Sequence, residues 1–399
     1  MSQIVKETTK FMWRSDKNRL FMAISTIVVL LYTLFIVPNL SSEDEINIKN
    51  LEREMSGNVV QFEESLDSGL LVPNALTGTT AYNDLRHEYV AQREMLTALK
   101  QGDVRRYVTN NYRPEAANDD SEGIEQIASG VLGYELEQSF QQQKYNFYAK
   151  EVKDLSFHTV HDRTSFQQIH LFFIGFGPIL LLLGLIFLIN DVHVKDRSLL
   201  TQKIGVPINW QKYLWVQAMS ALGFVLLFYL SLGFLFFMLN GLLHGFGALK
   251  LPIGYYNAFY ESGLYNIENF QIQTIAWFIA RALPYLLLLS YLFTRLNTLL
   301  SLWTKQSIVS MVLSMFLLSF QFIYYGSDAT KLLGLDITYF PQTYFDFGKI
   351  ITGRFELQVG AELPHLFIRG LVVLALTILM IEILIFISSK KITRQKFVN

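Results

Sequence analysis

Residues 171–189 read LFFIGFGPILLLLGLIFLI and contain no charged side chain, whereas the next eight residues, NDVHVKDR, contain four. A helix needs about 20 apolar residues to cross the hydrocarbon core of a bilayer. Basic residues beside a membrane helix favour its cytoplasmic end. The junction at residue 190 therefore predicts a membrane-spanning helix that ends at a charged cytoplasmic loop.

Six apolar stretches of the chain, this one included, meet or approach the length of a membrane span. They lie at 20–38, 169–190, 213–240, 272–296, 303–325 and 364–388. The composition agrees with this pattern, because 51% of the residues are hydrophobic and only 17% are charged. The predicted fold is therefore an all-α polytopic membrane protein with about six transmembrane helices.

Lysine and arginine residues collect in three of the segments outside these stretches. Five of them lie in residues 1–19, and others lie in 191–212 and in 390–396. An even number of spans places both termini on one side of the membrane, and the positive-inside rule then assigns that side. We therefore expect a multi-pass protein of the cell membrane with both termini in the cytoplasm. The formal net charge of -1 gives no support to nucleic-acid binding.

The long segment 39–168 separates the first two spans and is predicted to form one outer domain. Apolar residues recur in it every three or four positions, as they do in amphipathic helices. One such series is Ile48, Leu51, Met55, Val59, Phe62 and Leu66. The chain thus divides into an interfacial helix with the first transmembrane helix (1–38), a mainly helical extracellular domain (39–168), and the other transmembrane helices (169–399).

The cytoplasmic loop 191–212 has a charged start, a short apolar turn, a break and an aromatic return to the membrane. The residues that define these parts are Asp196, Arg197, Leu199, Leu200, Ile204, Pro207 and Trp210. Proline ends a helix because it has no backbone N–H and its ring clashes with the preceding turn. The loop is therefore predicted to present a small amphipathic helix at the membrane surface.

This order of residues resembles the loop after the second span in type-2 ABC transporter permeases. The resemblance implies that 191–212 is a coupling helix, which docks in a groove of a cytoplasmic ABC ATPase subunit. It also implies that the chain pairs with a second permease copy or a paralogue within the membrane lipid. By the same resemblance, ATP and Mg are bound by the partner ATPase, and this chain binds no cofactor of its own.

Two further segments resemble the same family. Residues 1–19 mix apolar and basic side chains and resemble the family's N-terminal helix, which lies along the inner membrane interface. The aromatic stretch 339–345 includes Pro341 and is followed by Gly353. It resembles the stretch before the family's last span, which implies that the outer segment 326–362 dips into the membrane as short re-entrant helices. An aromatic belt at the membrane interface is the alternative interpretation.

Ionisable residues also fall inside the predicted spans, where a charge costs about 2.5–3.5 kcal/mol on insertion scales, and Arg281, Arg369 and Glu382 are the candidates for a role in transport. Arg281 lies in the fourth span, and Arg369 and Glu382 lie in the sixth. One interpretation places all three along a translocation path. In the other, the two arginines extend to the outer interface and Glu382 pairs with a neighbouring helix. The sequence leaves both open.

The chain contains no Gly-rich loop ending in Gly-Lys-Ser or Gly-Lys-Thr, which would be needed to hold the phosphates of ATP. No catalytic residues and no metal site are expected. Together with the resemblance, this predicts the permease subunit of an ATP-driven ABC exporter. Such a subunit is not itself an enzyme, and it moves a peptide, drug, lipid or ion outward. The alternative is a membrane sensor or immunity protein whose outer domain binds an extracellular ligand without transport.

Overall fold

Helices dominate the chain in the computed structural model. The model describes residues 1–40, 48–67, 81–111, 140–141, 143–199, 208–256, 270–320, 322, 331–332, 334–355 and 366–398. In chain order the helices are α1 (Ser2–Arg14), α2 (Asp16–Leu31), α3 (Ile48–Asp67), α4 (Ala81–Gln101), α5 (Val104–Asn111), α6 (Phe157–Val160), α7 (Ser165–Ile174), α8 (Gly177–Ile189), α9 (Asp191–Val194), α10 (Trp210–His244), α11 (Ile275–Thr304), α12 (Ser307–Ser319), α13 (Phe347–Thr352), α14 (Leu366–Lys391) and α15 (Arg394–Val398). A π-helical turn, Tyr32–Ile36, continues α2, and residues 143–151 are also helical.

The chain divides into two compact units, which we call the bundle and the inserted unit. The bundle comprises Met1–Val37 and Ser165–Asn399, and the inserted unit comprises Pro38–Thr164. The inserted unit overlaps the outer domain that the sequence predicts at 39–168. In the amino-acid sequence the inserted unit lies between the first and the second apolar stretch, and the bundle is formed by the chain on both sides of it.

In the inserted unit, α3 and α4 pack side by side. Leu51 of α3, a member of the predicted apolar series, is buried, and Met95 of α4 is buried as well. Lys100 Nζ donates to Glu52 Oε1 at 2.7 Å across the same pair of helices. The first residues of the predicted domain, 41–47, lie outside the described part of the chain.

Five helical segments of the described chain are long and apolar enough to cross a membrane. They are Asp16–Asn39, Gly177–Arg197, Trp210–His244, Ile275–Thr304 and Leu366–Lys391. The length and apolar character of these helices suggest a membrane-embedded, multi-pass protein. At the expected fifth span, 303–325, the first two residues belong to α11, and α12 has 13 residues. Residues 321 and 323–325 of that expected span lie outside the described part.

Large apolar side chains remain exposed on the outside of the bundle at positions three or four apart. Examples are Ile24, Ile27 and Leu31 on α2, Leu227, Leu230 and Phe234 on α10, Ile308, Val312 and Phe316 on α12, and Val372, Leu376, Leu379 and Ile383 on α14. Soluble monomers rarely expose contiguous apolar surfaces of this size. An apolar surface of this kind is stable in contact with lipid tails.

The second predicted span, 169–190, is divided between two helices. Helix α7 ends at Ile174, and α8 begins at Gly177. Pro178 cannot donate a backbone hydrogen bond to the preceding turn. A Cβ atom at Gly177 would also overlap the Phe172 carbonyl group and ring, so only glycine fits there. Residues 175 and 176 therefore form a turn before the long apolar helix starts.

The mostly helical structure is consistent with the all-α prediction, and the described part of the bundle also contains two short antiparallel ribbons. Strand β1 (Pro252–Tyr256) pairs with β2 (Phe270–Thr274), and β3 (Lys331–Leu332) pairs with β4 (Leu335–Asp336). The first ribbon lies in the connection expected between the third and fourth spans, and its second strand extends to the start of the fourth. Its sequences PIGYY and FQIQT are rich in β-branched and aromatic residues, which favour strands.

Candidate functional site

One end of the bundle gathers basic residues, and we call it the basic end. Helix α1, the 3-10 turn Lys195–Leu199, the connection between α11 and α12 at Lys305, and α15 form this end. Arg197 Nη1 donates to the Lys305 carbonyl oxygen at 2.8 Å. Lys305 Nζ in turn donates to the Lys396 carbonyl oxygen at 2.5 Å. These bonds tie the segment after the second span to the end of α11 and to the C-terminal helix.

Five buried side chains join residues 191–199 to α10 and α11, and we call them the polar bridge: His193, Asp196, Tyr213, Gln217 and Thr298. None is more than 2% exposed. His193 Nδ1 lies 3.0 Å from Gln217 Oε1, and His193 Nε2 lies 2.9 Å from Thr298 Oγ1. Asp196 Oδ2 accepts from the Tyr213 hydroxyl at 2.8 Å and from Gln217 Nε2 at 3.2 Å. The segment is therefore fixed to two long helices at once.

Gln217 determines which atoms donate in the polar bridge. Its Nε2 donates to the Val192 carbonyl oxygen at 2.8 Å and to Asp196, so both amide hydrogens are used. Its Oε1 is then the acceptor for His193 Nδ1–H. The Thr298 hydroxyl lies 2.9 Å from His193 Nε2 and 3.0 Å from the Thr294 carbonyl oxygen, and its single hydrogen can donate to one of the two. Both ring nitrogens of His193 thus have a hydrogen-bond partner, as buried polar groups require.

Aromatic stacking holds the other end of the predicted coupling loop. Trp210, at the start of α10, stacks on Tyr213 with ring centroids 5.7 Å apart. Phe397 of α15 contacts the Trp210 ring at the same centroid distance. The Arg394 guanidinium lies 4.8 Å from the Tyr213 ring centroid. Helix α1 packs against α10 as well, so the first and last helices of the chain both contact this part of α10.

A second polar contact joins α11 and α14 deeper in the bundle, and we call it the ion pair. Arg295 Nε and Nη2 donate to the two carboxylate oxygens of Glu382 at 2.5 and 2.8 Å. The Tyr291 hydroxyl donates to the same carboxylate at 2.9 Å. The Arg295 side chain is 3% exposed and that of Glu382 is 34% exposed. In the structure Glu382 is therefore paired with a neighbouring helix.

The two partners of the ion pair lie at the same depth. Arg295 is nine residues before the end of α11 at Thr304, and Glu382 is nine residues before the end of α14 at Lys391. At 1.5 Å per residue this is about 14 Å from the basic end. A bidentate arginine–carboxylate pair neutralises both charges. At this depth either charge would cost free energy if it had no partner.

Arg281 and Arg369 lie near the opposite end of the same two helices. The Arg281 Cζ atom lies 4.0 Å from the Trp277 ring centroid, and the Arg369 Cζ atom lies 4.6 Å from the Tyr339 ring centroid. Both arginines are partly exposed. Arg369 is 13 residues from Glu382 on α14, about 20 Å along the helix axis. The three charged residues predicted for a translocation path are therefore not one cluster.

The structure describes part of the predicted coupling loop. Asp196 and Arg197 lie in the 3-10 turn at the basic end, and Leu199 is the last residue of that turn. Trp210 begins α10. The remaining predicted coupling residues, Leu200, Ile204 and Pro207, lie outside the described part of the chain.

The predicted outer segment 326–362 contains short helical turns where it is described. Two 3-10 turns, Ile337–Tyr339 and Pro341–Tyr344, precede α13. Gly353 ends α13 with a φ of +74°, a left-handed conformation that glycine adopts without strain. The Tyr344 hydroxyl donates to the Thr338 carbonyl oxygen at 2.7 Å, which holds the two 3-10 turns together.

Sequence reasoning missed most of the polar contacts in the bundle. The sequence patterns do not single out His193, Gln217 or Thr298, and Arg295 falls one residue before the end of the expected span 272–296. Because α11 continues to Thr304, Arg295 lies well inside that helix instead. A usable signal was present: Ser290, Thr294, Asn297, Thr298 and Ser301 recur on one face of an otherwise apolar helix. Polar residues on such a face point toward protein, not lipid.

The arrangement is suited to transmitting movement. A displacement of residues 191–199 must either move α10 and α11 as well or break several buried hydrogen bonds, each of which would leave polar groups unpaired. A comparison of the chain with protein-family models, with curated proteins and with solved structures gave no match, so this interpretation rests on the residues and their geometry.

Proposed function

We propose that this chain is the membrane-spanning permease subunit of an ATP-driven ABC exporter. In this proposal the basic end faces the cytoplasm, and the inserted unit lies outside the cell. A separate ATPase binds at 191–212 and supplies the energy to move a peptide, drug, lipid or ion outward. The apolar spans, the basic residues at one end and the resemblance of 1–19, 191–212 and 339–345 to type-2 permeases support it.

The polar bridge is the observation that carries the proposal. A transporter driven by a separate ATPase needs a surface segment that passes a force to membrane helices without absorbing it by local bending. The side chains of His193 and Asp196 connect the surface segment to α10 and α11 through buried hydrogen bonds of 2.8 to 3.2 Å. Such bonds resist small shifts because water cannot replace a broken partner there.

Copurification tests the proposal directly. The affinity-tagged chain is purified from its native membranes in mild detergent, and bound proteins and ATP hydrolysis are measured. We expect an ABC ATPase to copurify, and we expect the double variant Leu200→Asp/Ile204→Asp to lose it. The matched control is Leu335→Asp, at an exposed apolar residue of β4, which should retain the ATPase. Copurification of a kinase without an ATPase would instead support the sensor or immunity alternative.

A second arm of the same experiment tests whether the polar bridge transmits movement. The chain has no cysteine, so Leu242→Cys at the exposed far end of α10 provides a single thiol. We expect ATP to change the labelling rate of that thiol in the complex. Adding Gln217→Leu should abolish the change while ATP hydrolysis continues. An unchanged ATP response in the Gln217→Leu background would contradict the role of the bridge.

A further inference from the structure

Four buried polar side chains lie where α8, α11 and α12 meet, and they belong to neither the polar bridge nor the ion pair. We call them the polar seam: Asn190, Asn297, Ser301 and Ser314. None is more than 3% exposed. All three helices pack against one another at this junction. Asparagine and serine are uncommon choices for the dry interior of an apolar bundle unless their polar atoms have partners.

Two contacts bring the seam residues into one neighbourhood. Asn190 Nδ2 donates to Met311 Sδ at 3.2 Å, which links the end of α8 to α12. Asn297 Nδ2 donates to the Ile189 carbonyl oxygen at 3.4 Å, which links α11 to the same point of α8. Ser301 follows one turn after Asn297, and Ser314 follows one turn after Met311. Residues three or four apart share a helix face, so the seam spans a single junction.

Each seam residue keeps one polar atom without a hydrogen-bond partner among the described residues. These atoms are Asn190 Oδ1, Asn297 Oδ1, Ser301 Oγ and Ser314 Oγ. A buried polar atom that has left water needs a replacement partner, and unsatisfied atoms of this kind are rare in native proteins. Internal water is the usual partner, and a buried water makes about three hydrogen bonds.

We propose that the polar seam binds internal water that enters from the basic end. The two carbonyl oxygens accept hydrogen bonds and the two hydroxyl groups donate and accept, so together they offer water partners of both kinds. The seam has no carboxylate to balance a cation, and Glu382 is already paired with Arg295. Ser301 lies four residues before Lys305 at the α11–α12 connection, about 6 Å along the axis.

A hydrated seam has a consequence for how the helices move. Water can exchange its partners as α12 shifts against α11, so no polar atom loses its hydrogen bonds during the movement. The polar bridge, in contrast, joins side chains directly and would resist a shift of residues 191–199 against α10 and α11. At the basic end, α12 can therefore shift against α11 without the loss of buried hydrogen bonds. This inference goes beyond the proposed function, because it concerns water and holds whether or not the chain transports.

Single-cysteine labelling tests the seam, since the chain has no cysteine of its own. Ser301→Cys and Ser314→Cys replace one oxygen by sulfur and preserve the packing. Small water-soluble thiol reagents react with the thiolate, which forms only where water reaches the sulfur. We expect both variants in native membranes to react at least about tenfold faster than cysteines at dry positions.

Two controls define the dry reference. Leu302→Cys places a thiol beside position 301 on α11, where the side chain is buried. Val312→Cys places a thiol on the exposed apolar face of α12, which we expect lipid tails to cover. Each variant is first checked for a monodisperse size-exclusion profile. Seam cysteines that react no faster than both controls would overturn the proposal.

A second-site variant tests whether the two serines share the same water. Adding Ser314→Leu to Ser301→Cys places an apolar side chain in the seam and should slow labelling at position 301 toward the Leu302→Cys rate. An unchanged rate at position 301 would overturn the shared site. Hydroxyl-radical footprinting of Met311 in the unmodified protein provides an independent readout, because radicals formed in bound water oxidise a neighbouring thioether.

Discussion

The polar bridge at the basic end joins its helices by buried side-chain hydrogen bonds, whereas toward the opposite end packed aromatic rings contribute much of the contact between α11, α13 and α14. His193 and Asp196 fix a surface segment to α10 and α11 at the basic end. In the other half, Tyr285 of α11 stacks on Phe347 of α13 with centroids 5.8 Å apart and meets Phe367 of α14 edge-on at 5.5 Å. Hydrogen bonds specify a position within tenths of an ångström, but packed rings tolerate sliding.

The same contrast appears in how the two halves accommodate arginine. Arg295 is buried and shares its charge with the Glu382 carboxylate. Arg281 and Arg369 are partly exposed and lie over ring faces. A cation over an aromatic ring gains a modest attraction and can still reach polar surroundings. The two halves should therefore respond very differently when a charge is removed.

The largest expected effect is at the ion pair. Glu382→Leu leaves the buried Arg295 without its partner and should lower the free energy of unfolding by about 3–5 kcal/mol. The double variant Arg295→Met/Glu382→Leu should recover most of that loss, because an apolar pair of similar volume needs no charge compensation. Unfolding by denaturant in mixed micelles measures all three proteins. A double variant as unstable as Glu382→Leu would show that the pair does more than neutralise charge.

An intermediate effect is expected at Gly348 in the aromatic half. A Cβ atom there would overlap the Phe173 carbonyl group of α7, so Gly348→Ala must push α13 away from α7. We expect a loss of about 1–3 kcal/mol, typical of overpacking. The matched control is Gly223→Ala on α10, where no atom lies within 4 Å of the added carbon. The control should be neutral or slightly stabilising, since alanine favours helix over glycine.

The smallest effect is expected for the arginines over aromatic rings. Arg281→Leu and Arg369→Leu should each change the free energy of unfolding by only about 0.5–1 kcal/mol, the usual size of a partly exposed cation–π contact. The same denaturant series measures them beside Glu382→Leu. Losses as large as that of Glu382→Leu would remove the contrast between the two halves. A loss of transport at normal stability would instead favour the translocation-path interpretation.

How much could be predicted from the sequence differs between particular elements. The apolar stretches that became α2, α10, α11 and α14 were visible, because the length of an apolar run is a local property. The break at Gly177 was missed although Pro178 signalled it, since the apolar run continues on both sides. The β1–β2 ribbon was missed because its two strands are short and separated by the segment 257–269.

The amino-acid sequence by itself determined that the chain carries long apolar helices with basic residues collected beside them. Helix length and charge placement act on the surrounding solvent and need no partner from elsewhere in the chain. Only the tertiary structure decided which polar residues meet. His193 is 24 residues from Gln217 and 105 from Thr298, and Arg295 is 87 from Glu382. A hydrogen bond forms only within about 3 Å, and that proximity is produced by the packing of whole helices.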